Sequence, residues 1–190
     1  MRVLVIAEST ERAEILGAGV RLGGHELLEV LSLDAAVAPA LERSKPDVLV
    51  LEAGAPSVDL LDGLLDAMGA KPLPLAIFAR EPSVQAIESG VRAGAAAYVV
   101  DGLQAERVPA ILQVAVARFE YISGLRSELA QARQKLAERK FVERAKGLLM
   151  KARNLSEDEA YHTLRRMAME RNRRMGDVAR SVLEMAELLN

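Results

Sequence analysis

Tyr161, Arg165 and Asn172 bring an aromatic ring, a guanidinium and a side-chain amide into one short stretch of the chain. Tyr161 and Arg165 are four residues apart, so on a helix they share a face, and Asn172 falls a further double turn along it. A ring stacks on an unpaired base, a guanidinium reaches phosphate and an amide bonds a base edge, the pieces that single-stranded RNA recognition uses. Around them stand Lys146, Lys151 and Arg153 upstream, Arg166 beside Arg165, and Arg171, Arg173 and Arg174 just after. Residues 133–180 hold 14 Lys or Arg against 7 Asp or Glu, whereas residues 1–122 hold 10 against 17. The net charge of −2 therefore conceals an acidic front and a basic back, as in a polyanion-binding tail on a non-binding body. A plainer meaning stands beside this one: a solvated charged face, with Tyr161 at the edge of a core. Charge and spacing alone do not separate RNA from DNA.

Enzymatic chemistry has little to work with. There is no cysteine, the two histidines, His25 and His162, are far apart in sequence, and no glycine-rich phosphate loop is present. Glu8 and Glu52 could form a carboxylate pair, but nothing supplies a partner acid, base or ligand set. No catalytic residue, metal site or cofactor is assigned. Without cysteine there is no disulfide framework either, which suits a reducing compartment. The N-terminus has only five apolar residues in a row before Glu8, too few for a secretory signal, and no apolar run approaches the ~18 residues of a membrane span. A soluble cytoplasmic protein is expected.

The elements that must position these residues can be read from hydrophobic period. Val3 to Ala7, Val48 to Leu51, Leu75 to Ala79 and Ala97 to Val100 are short apolar runs, with a weaker one over Glu26 to Val30, as in strands buried on both faces. Helical spacing fills the gaps: Thr10 to Leu22, Asp34 to Glu42, Asp59 to Ala67 and Val84 to Ala93. The last is announced by Pro82 and Ser83, and Pro39 sits badly in the second. Such alternation predicts a parallel α/β sheet. From Glu106 the apolar positions Val108, Ile111, Ala115, Ile122, Leu125, Leu129, Ala132 and Leu136 step by three and four, with one step of seven that puts Arg118 at an inner position. This is a heptad seam, and it predicts a dimeric coiled coil with Gly124 as a hinge or join, the lesser alternative being an amphipathic helix folded back on its own body. After Leu136 the phase shifts to Phe141, Ala145, Leu148 and Ala152. A capping box at Ser156 and Glu159 starts a second helix with Ala160, Leu164, Met167 and Ala168 inward; Val178, Val182, Met185 and Leu189 mark a third. The prediction is a three-helix bundle over 141–190.

Two resemblances follow from quoted words. RVLVIAES, PDVLVLE and GAAAYVV, over about residues 1–120, resemble a response-regulator receiver domain, which implies a flavodoxin-like fold. At the positions where active receivers carry an acidic pair, a phosphoacceptor Asp, a Ser or Thr and a Lys, this chain has Ala7, Glu8, Glu52, Ala79 and Asp101. The phosphorylation chemistry is gone, since Mg²⁺ needs several oxygen ligands and a phosphoryl group needs a positive partner. Glu8, Glu52 and Asp101 are then expected as a solvated acidic rim or docking surface, with Glu52 as a standing mimic of a phosphorylated acceptor the lesser alternative.

ERAKGLLM, LSEDEAYHTLRRMAMERNRRM and DVA resemble the ANTAR domain, and the whole chain resembles the NasT and AmiR group of transcription antitermination regulators. That resemblance implies an RNA site including Ala145, Lys146, Gly147, Tyr161, Arg165, Asn172 and Arg173, alongside the basic Lys151, Arg153 and Arg166. Gly147 would allow close approach either of RNA backbone or of the third helix. The implied partners are paired leader-mRNA hairpins with six-nucleotide loops and a ligand-binding sensor protein that sequesters the regulator, beside the second copy that the seam predicts. RNA polymerase is affected indirectly, by loss of the terminator hairpin. The chain would comprise a pseudo-receiver (1–120), a connecting coiled-coil helix (106–140) and the ANTAR bundle (141–190). The rival functions are a DNA-binding response regulator and an adaptor whose basic face is merely solvated.

Overall fold

Five strands, β1 (Arg2–Ala7), β2 (Glu26–Leu31), β3 (Val48–Ala53), β4 (Leu75–Ala79) and β5 (Ala95–Val100), pair in parallel in the order β2-β1-β3-β4-β5 in the computed structural model. Residues 1–69, 71–81 and 83–188 are described, with Glu187 and Leu188 as backbone only. Pro82 and Leu189, given a helix start and an inward position above, lie outside them. β3 and β4 are buried throughout and β1 after its first residue, which is why they read as unbroken apolar runs. Helices α1 (Thr10–Leu22), α2 (Val37–Ser44), α3 (Val58–Met68) and α4 (Val84–Arg92) connect them. Ser9, Ser57 and Ser83 cap α1, α3 and α4 by accepting from the backbone N–H three residues on. α2 begins at Val37, later than the predicted Asp34, so Pro39 falls in its first turn, where its missing N–H has no partner to lose.

The chain divides into two compact units, Met1–Ser123 and Gly124–Asn190. The long helix α5 (Val108–Arg153) gives its first turns to the front unit and the remainder to the back one. The first positions of the predicted heptad seam are taken up within the front unit. Val108 and Ala115, with Leu112, are fully buried with Val3, Val5 and Phe78, and Ile111 packs against them. These turns cover the sheet, and a covering helix carries the same three-four pattern as a seam. Ile122, Leu125, Leu129 and Leu136 are the exposed remainder, and Arg118 is exposed. The helix from Ala105 to Arg153 does pass as long and apolar enough, on length and composition alone, to cross a membrane; burial of Val108, Leu112 and Ala115 under the sheet accounts for part of that apolarity. Gly19 is what lets α1 approach so closely: a Cβ there would stand 2.6 Å from Val108 Cβ and 2.7 Å from the carbonyl of Ala105.

In the back unit α5, α6 (Glu157–Glu170) and α7 (Met175–Leu188) close on Val142, Ala145, Leu149, Ala160, Leu164, Ala179 and Leu183. Phe141 and Leu148 flank this core and Ala152 is exposed, so the inner face of α5 centres one residue later than predicted, as helical side chains leaning toward the N-terminus require. On α7 the inward set is Val178, Ala179 and Leu183, with Met185 exposed. The capping box is present: Ser156 accepts from Glu159 N–H, and Glu159 accepts from the backbone N–H of Ser156.

Candidate nucleic-acid interface

Tyr161 stands on the second turn of α6, 39% exposed, with the ring of His162 edge-on at 5.9 Å. Arg165 and Arg166 are exposed one turn on and, with His162 and Met169, line a shallow hollow of about 430 Å³. Asn172 does not continue that helical face. α6 ends at Glu170, and Asn172 lies in the turn with φ +49°, its N–H bonded to Met169 O at 3.2 Å. Asparagine tolerates this left-handed conformation, so the turn itself accounts for the residue type. Arg173 follows, exposed, its N–H on Ala168 O. Lys151 and Arg153 are exposed at the end of α5. They precede α6 and Arg173 follows it, so the predicted cations flank a helix of about 21 Å instead of meeting at one point.

Two predicted contacts are not at the surface. Ala145 is fully buried, and Lys146 is only 8% exposed. Lys146 Nζ donates to Glu157 Oε1 at 2.7 Å and lies 3.0 Å from Glu143 Oε2, contacts that hold its ammonium above the usual lysine range and Glu157 below the usual carboxylate range. Lys146 thus ties α5 to the acidic first turn of α6, where carboxylates favour the helix dipole. Gly147 has nothing within 4 Å of where a Cβ would stand, so packing of the third helix does not require it. Lys151, Arg153, Arg165, Arg166 and Arg173 have no carboxylate partner among the described residues.

The front unit's strand ends are arranged differently. Ala7 and Ala79 are buried. Glu52, expected on a solvated rim, is fully buried: Arg12 of α1 pairs with one of its oxygens, and the other accepts from Glu8 N–H at 3.2 Å. Glu8 Oε2 accepts from Gly54 N–H at 2.6 Å and Arg80 Nη2 at 2.5 Å, and these bonds, Gly54's first, hold its carboxyl below the usual range. A Cβ at Gly54 would stand 2.7 Å from Arg80 Nη2 and 3.1 Å from Glu8 Oε2, so a larger residue there displaces the ends of these two side chains. Asp101 is exposed in the turn after β5, at φ +46°. No group of three or more His, Cys, Asp or Glu among the described residues could hold a metal ion. Sequence reasoning missed Arg12 and Arg80. The available signal was position: Arg12 lies one turn after Glu8, and Arg80 directly follows β4.

Residues 130–183 match the family model of the ANTAR domain. The transcriptional regulatory protein PdtaR of Mycobacterium tuberculosis is 30% identical over 184 residues, 96% of this chain and 89% of that protein. A nitrate regulatory protein of Klebsiella oxytoca is 41% identical over 64 residues, covering 34% of this chain and 16% of that one. In fold, the chemotaxis response regulator CheY4 of Vibrio cholerae covers 60% of this chain and 97% of its own, with a TM-score of 0.51 at 19% identity. A sheet of receiver order, a helical back unit matching ANTAR and a relative alike over nearly the full length agree: this chain belongs to the ANTAR-domain transcriptional regulators.

Proposed function

We propose that this protein is an RNA-binding transcription antiterminator. It binds paired stem-loops with six-nucleotide loops in a leader RNA, keeps the transcript from forming its terminator hairpin, and so lets RNA polymerase read through. The observation that carries this reading is the state of the back unit's cations: Lys151, Arg153, Arg165, Arg166 and Arg173, along and at both ends of the helix that bears the exposed Tyr161, have no carboxylate partner among the described residues. The division into a pseudo-receiver (1–120), a connecting helix (106–140) and an ANTAR unit (141–190) belongs to the same reading. Exposed Ile122, Leu125, Leu129 and Leu136 form the seam of a homodimer, whose two back units address two hairpins with the gain that bivalency brings. Control comes from a ligand-binding sensor protein that sequesters the regulator. Phosphorylation has no role, because Arg12 and Arg80 already engage the carboxylates at the strand ends.

The test is sequencing of RNA retained by the full chain, followed by binding to hairpins with randomised six-nucleotide loops in competition with duplex DNA. Loop-dependent binding that survives excess duplex supports the reading. Preference for duplex makes the protein a DNA-binding regulator; weak, loop-indifferent binding that vanishes steeply with salt makes the basic face merely solvated. Acetyl phosphate with Mg²⁺ is expected to leave the protein's mass unchanged, and modification of Glu52 or Glu8 would overturn the phosphorylation-independent part.

A further inference from the structure

Beside Tyr161 a cleft of about 530 Å³ opens between α5 and the start of α7. Lys135, Arg139 and Arg174 line it, with Val142 and Met175 as apolar lining; all lie in the back unit. None of the three cations has a carboxylate partner among the described residues. Its two carboxylates do have internal partners: Glu138 accepts from Gln134 at 3.0 Å, and Glu143 lies 3.0 Å from Lys146. Arg139 is also the position that follows Leu136 in the three-four stepping of α5, where a continuing seam would place an apolar residue. The seam therefore stops where the cleft begins. Gly176 sets the width of the cleft, since a Cβ there would stand 2.8 Å from Glu138 Cγ and 3.1 Å from Glu138 Cβ.

A bare anion would use the cations but not the ring, the apolar lining or the carboxylates. A nucleotide uses all of them: the ring takes the face of the base, carboxylate oxygens take N–H donors on its edge, and the cations take the flanking phosphates. The volume falls within the ~300–1,000 Å³ of clefts that hold small ligands. We infer that this cleft receives one unpaired loop base of the bound RNA, stacked on Tyr161, with Lys135, Arg139 and Arg174 on its phosphates. The inference rests on the RNA-binding reading above and extends it to three residues outside the predicted site.

The test uses the full chain and a hairpin taken from the randomised-loop selection, with 2-aminopurine placed in turn at each loop position. The wild type is expected to change the fluorescence strongly at one position. Tyr161→Ala abolishes that change and weakens binding about tenfold to a hundredfold, while Tyr161→Phe keeps both. Replacing Lys135, Arg139 and Arg174 together by Gln lowers the log–log salt slope by about 2, as loss of three phosphate contacts to a single strand requires. Unchanged far-ultraviolet dichroism and melting show that each variant is folded. If the wild type selects no hairpin, the RNA reading falls and the cleft with it. If it selects hairpins but the triple variant and Tyr161→Ala bind and report as the wild type does, the cleft assignment is overturned and RNA binding stands.

Discussion

Arg12, Arg43 and Arg80 of the front unit and Arg139, Arg165 and Arg174 of the back unit are the same side chain in opposite circumstances. In the front, Arg12 holds Glu52, Arg80 holds Glu8 and Arg43 holds Glu29, the last at 2.8 Å. In the back, Arg139, Arg153, Arg165, Arg166, Arg173 and Arg174 have no carboxylate among the described residues, while Arg180 lies 4.7 Å over the ring of Phe141. A paired arginine is part of the fold; an unpaired one is available to a ligand. The local excess of charge matters less than whether each cation already has its counter-ion.

Deleting a paired front-unit charge therefore breaks stability, and deleting an unpaired back-unit arginine does not. Glu52→Gln leaves Arg12, whose side chain is 21% exposed, without its ion-pair partner at the sheet end. Loss of one member of a buried pair costs about 3–5 kcal/mol, and the low end is expected here because Arg12 keeps some contact with water. Arg165→Gln should change unfolding by no more than about 0.5 kcal/mol while weakening RNA binding. Urea unfolding followed by circular dichroism checks both. Equal losses in the two variants would erase the contrast.

Packing sharpens the comparison at the next level. Gly19→Ala forces a methyl group against Val108 and the carbonyl of Ala105, and overpacking of this kind costs about 1–3 kcal/mol. Gly147→Ala in the back unit, with open space around the new methyl, should be neutral or stabilising by up to about 1 kcal/mol, since alanine is the better helix former. If Gly147→Ala keeps its stability but loses RNA affinity, the glycine serves the ligand. At a similar scale, Ser156→Ala removes the N-cap of α6 and should cost about 1 kcal/mol in the back unit alone.

What could be read in advance follows the range of the interactions. The strands were legible because burial on both faces writes itself as a continuous apolar run, and the helix starts because each capping serine acts only three residues ahead. The Arg12 and Glu52 pair was not legible, since its members are 40 residues apart and meet only when α1 packs beside the carboxyl end of the central strand β3. Lys146 was read as exposed because its own helix gives no sign of Glu157 across the next turn. The predicted seam takes in Val108 because a helix covering a sheet and a helix in a coiled coil share one period; only the sheet's presence tells buried Val108 from exposed Leu129. Asn172 was given a helical face because nothing in its spacing marks where α6 stops.

The smallest expected effect concerns pH, where Lys146, tightly paired, can be set against Arg165, which has no carboxylate partner among the described residues. Glu157 and Glu159 titrate below the usual carboxylate range, the first through Lys146 and the second through the backbone N–H and hydroxyl of Ser156. A depressed carboxylate contributes stability that is present above its unfolded pKa, about 4.3, and is lost as pH falls through the lower folded value. Lys146 titrates above the usual lysine range, so its contribution is present below about 10.4 and is lost as pH rises through the higher folded value. Glu157→Gln removes one group from the acid limb and weakens the alkaline limb by taking the nearer partner from Lys146. One substitution should therefore flatten the melting temperature of the back unit at both ends of the pH range. Arg165→Gln, which releases no carboxylate among the described residues, should leave both limbs as in the wild type. If Glu157→Gln altered only the acid limb, Lys146 would owe its raised affinity for the proton to Glu143 alone, and the clasp between α5 and α6 would not be ionic.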